Sequence, residues 1–360
     1  MATVDSIGEV WSYRGEGVVS YSLTTPGVEL GLGGGARRRV NVKMPLPKPE
    51  GSEASSGYLT VGVIAPASLR LPVRWRISLD NTGIARELRP QVSTEIDDGQ
   101  VYHKIVFDVT PLARLKFSGR DVHQVSVSYD GLQPVLLNDI ALVALFNFKE
   151  ARTSATLFSG ARSIDPGGKV IVYSRLGEYL GGVRRALATV YIPSPQSRLR
   201  FVAGGSPPQY ATGPGTRVMD AEVPYKGYEV PVALVYEEPS TPIYPKTAVA
   251  GDVVVVENSI EGPLLEVRGI SLERDEKGRV AASVVIANRS RDVCSTARLQ
   301  VLAGEVVVAS RDIGGIEAGS KGEYNIEFYA PPGAESLAFR LSWKVKGFPL
   351  ARDVVVKLKA

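Results

Sequence analysis

Apolar residues recur at every second position along most of this chain and almost nowhere at the helical spacing of 3.6, so the sequence predicts strands throughout. The alternation is clearest over 264–358. Leu264–Arg274 alternates, the charged turn Asp275–Glu276–Lys277–Gly278 follows, and Val280–Asn288 alternates again. Ala297–Leu302 and Glu305–Ser310 read as a second hairpin, and Tyr324–Tyr329, Ser336–Lys346 and Asp353–Lys359 complete the set. Roughly seven short strands with a turn at each joint are the pattern of an immunoglobulin-like β-sandwich.

The first 257 residues carry a degenerate repeat. Gly34–Val40 leads into a strand ending Pro45–Leu46–Pro47, and Gly181–Leu187 into one ending Pro193–Ser194–Pro195. Each is followed by a further strand, Tyr58–Ile64 and Arg198–Ala203. Each unit closes on an apolar run, Ile140–Phe146 after the polar pair Asn138–Asp139, and Val230–Glu237. Such runs between polar turns fit strands buried on both faces. The expected architecture is all-β: a jelly-roll-like β-sandwich over 1–150 with an insertion near Arg74–Gly131, a second, shorter unit over 151–257, and the immunoglobulin-like domain over 264–360. Helices are confined to short turns, at Pro111–Leu115 and Leu176–Leu180. The joints Lys149–Ser154, Glu237–Pro245 and Asn258–Pro263 are short or rich in Pro, which stiffens a linker. Loops Leu46–Gly57 and Gly204–Gly215 are the segments expected to be exposed.

Composition narrows the class. At 44% hydrophobic and 22% charged residues the chain has the make-up of a folded globular protein. No apolar run reaches the roughly 18 residues of a membrane helix, so no membrane insertion is expected. With 42 basic against 38 acidic residues the charge is mild, and the arginines at 37–39 and 184–185 are short clusters, not the dense basic face of a nucleic-acid binder. Cys294 is the one cysteine, which rules out an intrachain disulfide. Scarce Gln, Cys, Met and His beside plentiful Val, Arg, Glu and Pro resemble thermophile usage. Met1–Val10 has neither a basic patch nor an apolar core and does not read as a signal peptide. An intracellular protein and a surface protein whose leader has been removed both fit.

Two stretches resemble known families. Val284–Val285–Ile286–Ala287–Asn288–Arg289–Ser290, Ile313–Gly314–Gly315–Ile316–Glu317–Ala318–Gly319, Tyr324–Phe328 and Pro331–Pro332–Gly333 are similar to the cell-adhesion-related (CARDB-like), immunoglobulin-like domains of bacterial and archaeal surface proteins, with Glu317–Ala318 in place of that family's usual Ala-Pro. Phe107–Asp108–Val109–Thr110 with Val135–Val143 resembles the second half of jelly-roll-like domains of archaeal surface proteins. The resemblance implies display, adhesion or assembly, a location outside the cell or on its surface, and no catalytic residues.

The residues agree with a non-catalytic reading. A hydrolase triad needs a histidine between a nucleophile and a carboxylate. His103 and Asp108, five apart on a strand, face opposite sides, and His123 reads, like His103, as an exposed strand histidine. Two histidines and one cysteine do not make a structural zinc site. Asp80, Asp97 and Asp98 are the calcium candidates, although Asp80–Asn81–Thr82–Gly83 and Asp97–Asp98–Gly99 also read as hairpin turns. Gly31–Arg37 lacks the following helix of a phosphate loop. Glu237–Glu238 and Asp97–Asp98 are neighbours in sequence, not a pair facing across a cleft. No cofactor is expected. Sugar binding needs aromatic faces with polar groups beside them. Trp75, Tyr102 and Tyr129 in the insertion and Tyr210, Tyr225 and Tyr228 near the second loop are the candidates. Trp11, Trp343 and Cys294 read as core.

The sequence therefore points to a non-catalytic structural, adhesive or assembly protein of a prokaryotic, archaeal-type surface, with a carbohydrate-binding module protein as the alternative. Its expected partners are a protein or cell-surface component, further copies of itself, or a glycan.

Overall fold

The computed structural model describes residues 3–4, 6–33, 35–69, 74–96, 99–177, 179, 182–224, 227–237, 247–275, 278–304, 306–334 and 336–358, with side chains from residue 7 onward. The chain divides into two units, Met1–Tyr179 with Arg184–Asn258, and Leu180–Val183 with Ser259–Ala360.

Among the described residues, twenty strands build the first unit. They are β1 (Thr3–Val4), β2 (Ser6–Glu16), β3 (Val18–Thr24), β4 (Val28–Leu30), β5 (Arg39–Pro45), β6 (Glu53–Pro66), β7 (Trp75–Leu79), β8 (Thr82–Ala85), β9 (Val92–Ile96), β10 (Gln100–Asp108), β11 (Val122–Tyr129), β12 (Val135–Asn147), β13 (Ala151–Ile164), β14 (Lys169–Arg175), β15 (Val183–Ile192), β16 (Arg198–Ala203), β17 (Gln209–Thr212), β18 (Gly215–Glu222), β19 (Glu229–Glu237) and β20 (Ala248–Ile260). The short helix α1 (Thr110–Lys116), followed by a 3-10 turn at Phe117–Gly119, has Pro in its first turn, where the missing N–H costs nothing. It sits where Pro111–Leu115 suggested a turn. Of Leu176–Leu180, the described Leu176, Gly177 and Tyr179 are not helical.

The strands form two jelly rolls of one topology. In the first, β10-β6-β12-β3 face β5-β11-β7-β8, and in the second β18-β15-β20-β13 face β14-β19-β16-β17. Counted in chain order, each strand of the first has one equivalent in the second. The duplication expected from sequence is present, but one strand out of step: β5 corresponds to β14, not to the strand after Gly181, and the closing strand β12 corresponds to β20, not to Val230–Glu237. The first boundary also differs. β2 pairs with β13 at the edge of the second jelly roll, so Ser6–Glu16 crosses out of 1–150.

Each jelly roll fills its own core by alternation. Met44, Leu59, Val61, Trp75, Ile77, Val125, Val127, Ile140 and Leu142 build the first, and Val172, Ala188, Val190, Leu199, Phe201, Val232, Leu234 and Val255 the second. The two larger sheets then pack face to face through Val19, Val143, Leu145, Leu157, Val254 and Val256. Four sheets are thus stacked in layers. This explains why β12 and β20 are apolar on both faces: odd residues of β12 beyond Asn138 face the neighbouring jelly roll and even ones face their own core.

The second unit is a sandwich of β21 (Leu265–Arg274), β22 (Arg279–Asn288) and β25 (Lys321–Tyr329) against β24 (Val306–Ile313), β23 (Ala297–Ala303), β26 (Ser336–Val345) and β27 (Phe348–Lys357). This three-plus-four arrangement is immunoglobulin-like. Phe339, Leu341, Trp343 and Val345 share the inner face of β26, and the Trp343 indole donates to the Pro263 carbonyl at 2.8 Å. Cys294 is fully buried and free. Asn288 ties the segments 284–290 and 313–319 together, donating to the carbonyls of Asp292 at 2.7 Å and Ile316 at 3.1 Å.

Candidate functional site

An open groove of about 590 Å³ lies along one side of the second jelly roll. It is lined by Glu9, Ser12, Tyr13 and Arg14 from β2, Thr156 from β13, Tyr173 and Arg175 from β14, and Tyr228 and Glu229 at the start of β19. β2 and β14 are the edge strands of the two sheets, so the groove opens where the sandwich is left uncovered. Tyr173 and Tyr228 form its rim, about half exposed at 56% and 47%.

Hydrogen bonds and an arginine on the ring hold the rim in place. The Leu176 N–H donates to the Tyr228 carbonyl at 2.8 Å. Arg14 donates to the Leu176 carbonyl at 2.8 Å and lays its guanidinium 4.7 Å above the Tyr228 ring. Arg184 donates to the carbonyls of Gly177 and Gly227, at 2.5 and 3.2 Å, and pairs with Glu257 at 3.1 Å. Burial pushes the Glu257 carboxyl up, and Arg184 opposes that shift. The Tyr228 loop is therefore anchored from below, which presents its ring at low entropic cost to a ligand.

A second polar site was not read from the sequence. Lys104 of β10, 1% exposed, reaches both Asp139 of β12 and Asp252 of β20, the latter at 2.6 Å. The Tyr102 hydroxyl donates to Asp139. Thr60 and Ser159 donate to Asp252 at 2.6 Å each, and the Asp252 N–H donates to Thr189 at 2.8 Å. Asn138 and Asp139, read from sequence as a turn, lie inside β12 at a register shift, and this bulge rotates Asp139 into the layer between the jelly rolls. Burial first, and then repulsion from the nearby Asp139 carboxylate, push Asp252 up, and Lys104 does not fully offset them. Burial alone would lower Lys104, but the two carboxylates more than reverse it and the ammonium is raised. Tyr102 is pushed well above its ordinary range by burial first and by both carboxylates. No member of this cluster meets solvent, so it braces the layers and offers nothing to a substrate.

The sequence candidates separate accordingly. Trp75, Tyr102 and Tyr129 were expected beside a ligand, yet they are 1%, 1% and 3% exposed. Trp75 and Tyr129 stack on each other with centroids 4.5 Å apart in the first core, which leaves no ring face for a sugar. Tyr210 is 43% exposed, with Arg198 over one face at 3.8 Å, and it does not line the groove. Tyr225 lies outside the described residues. Tyr228 is the one candidate placed in the groove, and Tyr13 and Tyr173 were missed. Trp11, expected in the core, is partly buried against Tyr58 and Tyr13.

The calcium and histidine expectations also change. Asp80 is buried and its carboxylate is taken up by His123 at 2.7 Å and the Gln124 N–H at 3.0 Å, so its lone pairs are committed to donors. Its φ of 48° and that of Asn81, 64°, make the tight hairpin turn between β7 and β8. Asp97 and Asp98 lie outside the described residues. Among the described residues no group of three His, Cys, Asp or Glu is arranged to hold a metal. His123 is fully buried, not exposed, because its ring packs on Phe117 at 4.1 Å and bonds Asp80. His103 shares a hydrogen bond with Ser93 directly across the ladder at 2.8 Å, and burial lowers it to about 4. Among the described residues no helix is long and apolar enough to cross a membrane.

No family model matches the chain, and no curated protein matches it. Solved structures with likeness include the Endo-D glycoside hydrolase domain of Streptococcus pneumoniae R6, 12% identical over 59% of this chain and 34% of that one, TM-score 0.20. They also include PNGase F, a glycosylasparaginase from Flavobacterium meningosepticum, 8% identical over 69% of this chain and 97% of that one, TM-score 0.27. A beta-galacturonidase from Eisenbergiella tayi is 12% identical over 56% of this chain, TM-score 0.21. This chain spans about a third of the length of the first and third of these. At these TM-scores the functional reading rests on the geometry of this chain.

Proposed function

We propose that the chain is a non-catalytic adhesive protein of a prokaryotic, archaeal-type cell surface that binds a saccharide in the groove between β2 and β14. The observation that carries this reading is the pair of half-exposed rings, Tyr173 and Tyr228, beside Arg14, Arg175, Glu9, Glu229 and Ser12. Tyrosine faces stack on the apolar side of sugar rings while charged and hydroxyl groups reach the sugar hydroxyls. The volume suits a short stretch of saccharide. The doubled, internally braced jelly roll supports a rigid presenting scaffold, and the resemblance of the second unit to adhesion-related domains supports a surface setting.

Glycan-array screening followed by calorimetry on the best binder tests the reading. Tyr173→Ala with Tyr228→Ala should weaken that binding about 10-fold or more, since each stacked ring contributes about 1 kcal/mol. Absence of any glycan binding, or an unaffected double variant, would remove it. A second reading, self-assembly, is favoured by edge strand β24, where Val306 and Val307 are 63% and 48% exposed. Light scattering after size exclusion, across concentration and with and without calcium, would reveal it as growth beyond the monomer.

A further inference from the structure

The outer sheet of the first jelly roll, β5-β11-β7-β8, differs in charge from every other sheet among the described residues: none of its strands contains an aspartate or glutamate. Its outward positions run in rungs. Arg39 lies opposite Ser128 and Ser128 opposite Arg76; Asn41 lies opposite Ser126 and Ser126 opposite Ser78; Lys43 lies opposite Gln124. Arg39, Lys43 and Arg76 are all exposed. Arg39 is aimed by neutral partners, the Asn41 carbonyl at 3.2 Å and the Ser126 hydroxyl at 3.1 Å. Arg37, Arg38 and Arg74, also exposed, extend the cationic edge. On other faces several strand arginines meet carboxylates: Arg198 and Arg200 meet Glu237, Arg279 meets Glu327, Arg298 meets Asp312 and Arg340 meets Asp353.

We infer that this sheet is a docking face for an anionic polysaccharide, separate from the groove. Exposed cations are normally interleaved with anions, and a face built without them attracts a partner that supplies the negative charge. Arg39 and Arg76 stand two strands apart, about 10 Å, and Arg39 and Lys43 about 13 Å apart along β5. A small anion cannot touch all three, whereas an extended polymer with repeated carboxylate or sulfate groups can. The hydroxyls and amides between them, Ser78, Ser128, Asn41 and Gln124, suit sugar hydroxyls. Single-stranded nucleic acid is disfavoured because no aromatic ring faces outward here for bases to stack on, Trp75 and Tyr129 pointing into the core. A membrane surface is disfavoured because Val122 is the one large apolar side chain exposed on these strands.

The test is binding of the full chain to alginate and to dextran sulfate in chelator-containing buffer, with neutral dextran, polyuridylate and phosphatidylserine vesicles alongside. Both anionic polysaccharides should bind, and more weakly as salt rises. The variant Arg39→Ser/Lys43→Ser/Arg76→Ser should lose at least about 10-fold in affinity. Arg198→Ser/Arg200→Ser/Arg279→Ser, which removes the same number of charges from paired faces, should stay within about twofold. Should the first variant fold poorly, Lys43→Glu/Arg76→Glu at two exposed positions should give the same loss. Equal binding of neutral dextran, preference for polyuridylate or vesicles, or equal losses in both triple variants would overturn the inference. The Tyr173→Ala/Tyr228→Ala variant should keep its alginate binding. Loss there with retention in the sheet variant would also overturn it, while leaving the groove reading intact.

Discussion

Asp139 and Asp252 are the same residue of two repeats: each is the fifth position of its jelly roll's closing strand, and the two share one ammonium, Lys104. The symmetry breaks at the cation. By ladder register Lys104 lies opposite Gly62 of β6, whereas β18, the counterpart of β10, sends the Thr216 hydroxyl to Asn138. One lysine therefore serves two carboxylates that are 0% exposed. Removing one partner from such a site leaves charge in a medium that cannot solvate it. Lys104→Met should destabilise the first unit by about 3–5 kcal/mol, and adding Asp139→Asn and Asp252→Asn should recover most of that. Urea unfolding of the three-residue variant against Lys104→Met checks both arms.

The same layer depends on a missing side chain. A Cβ at Gly62 would stand 2.2 Å from an Asp139 carboxylate oxygen and 2.7 Å from the Tyr102 hydroxyl, while a Cβ at Gly269 in the second unit would meet nothing within 4 Å. Both glycines lie in strands. Gly62→Ala should cost about 1–3 kcal/mol through overpacking of a fixed polar cluster, whereas Gly269→Ala should be neutral or slightly stabilising. Thermal melts of the two variants separate the outcomes, and equal effects would mean that the layer yields where its packing says it should not.

Acid should act through the two histidines, His103 half-buried and His123 buried. His103 drops from 6.5 to about 4 in the fold because burial disfavours the imidazolium, and burial likewise lowers His123 despite the Asp80 partner. Between pH 6.5 and about 4 the unfolded chain thus binds a proton at residue 103 that the folded chain does not. Stability present above pH 6.5 is lost as pH falls through that window. His103→Gln should remove part of this slope, so the wild type loses stability relative to the variant on going from pH 7 to 4. Parallel chemical-denaturation curves across that range would show it.

Legibility followed geometry. The strand content, the helical turn at Pro111 and the sandwich over 264–358 were readable because alternation is local. The repeat was readable but misregistered, since the Gly-Arg sequences at 34–39 and 181–185 look alike although β5 and β15 belong to different sheets. What identifies the true pairing is the closing strand: β12 and β20 are apolar at consecutive positions because each sits between two layers, whereas β19 alternates. Asp139 and Asp252 at matched positions in these runs were the available signal for the buried cluster, and reading Asn138–Asp139 as a turn hid it. In the groove Tyr228 was found from its loop. Tyr13 and Tyr173 could not be, because they meet only when two edge strands 160 residues apart are brought together by pairing far along the chain.

The second unit offers a test of what its own core requires. Trp343 is 3% exposed on β26, flanked on the same face by Leu341 and Val345, and its indole N–H has a partner in the Pro263 carbonyl. Trp343→Ala removes the largest side chain of that core and empties a space that rigid strands close only in part, so the expected cost is about 3–5 kcal/mol. Trp343→Phe keeps most of the apolar contact but leaves the carbonyl without its donor, so it should cost distinctly less. The loss should be confined to the second unit: the Ala variant's melt should resolve an early transition while the emission of Trp75, held in the first core, keeps its native maximum until the later one. Simultaneous loss of both signals at the lower temperature would mean that the two units unfold as one.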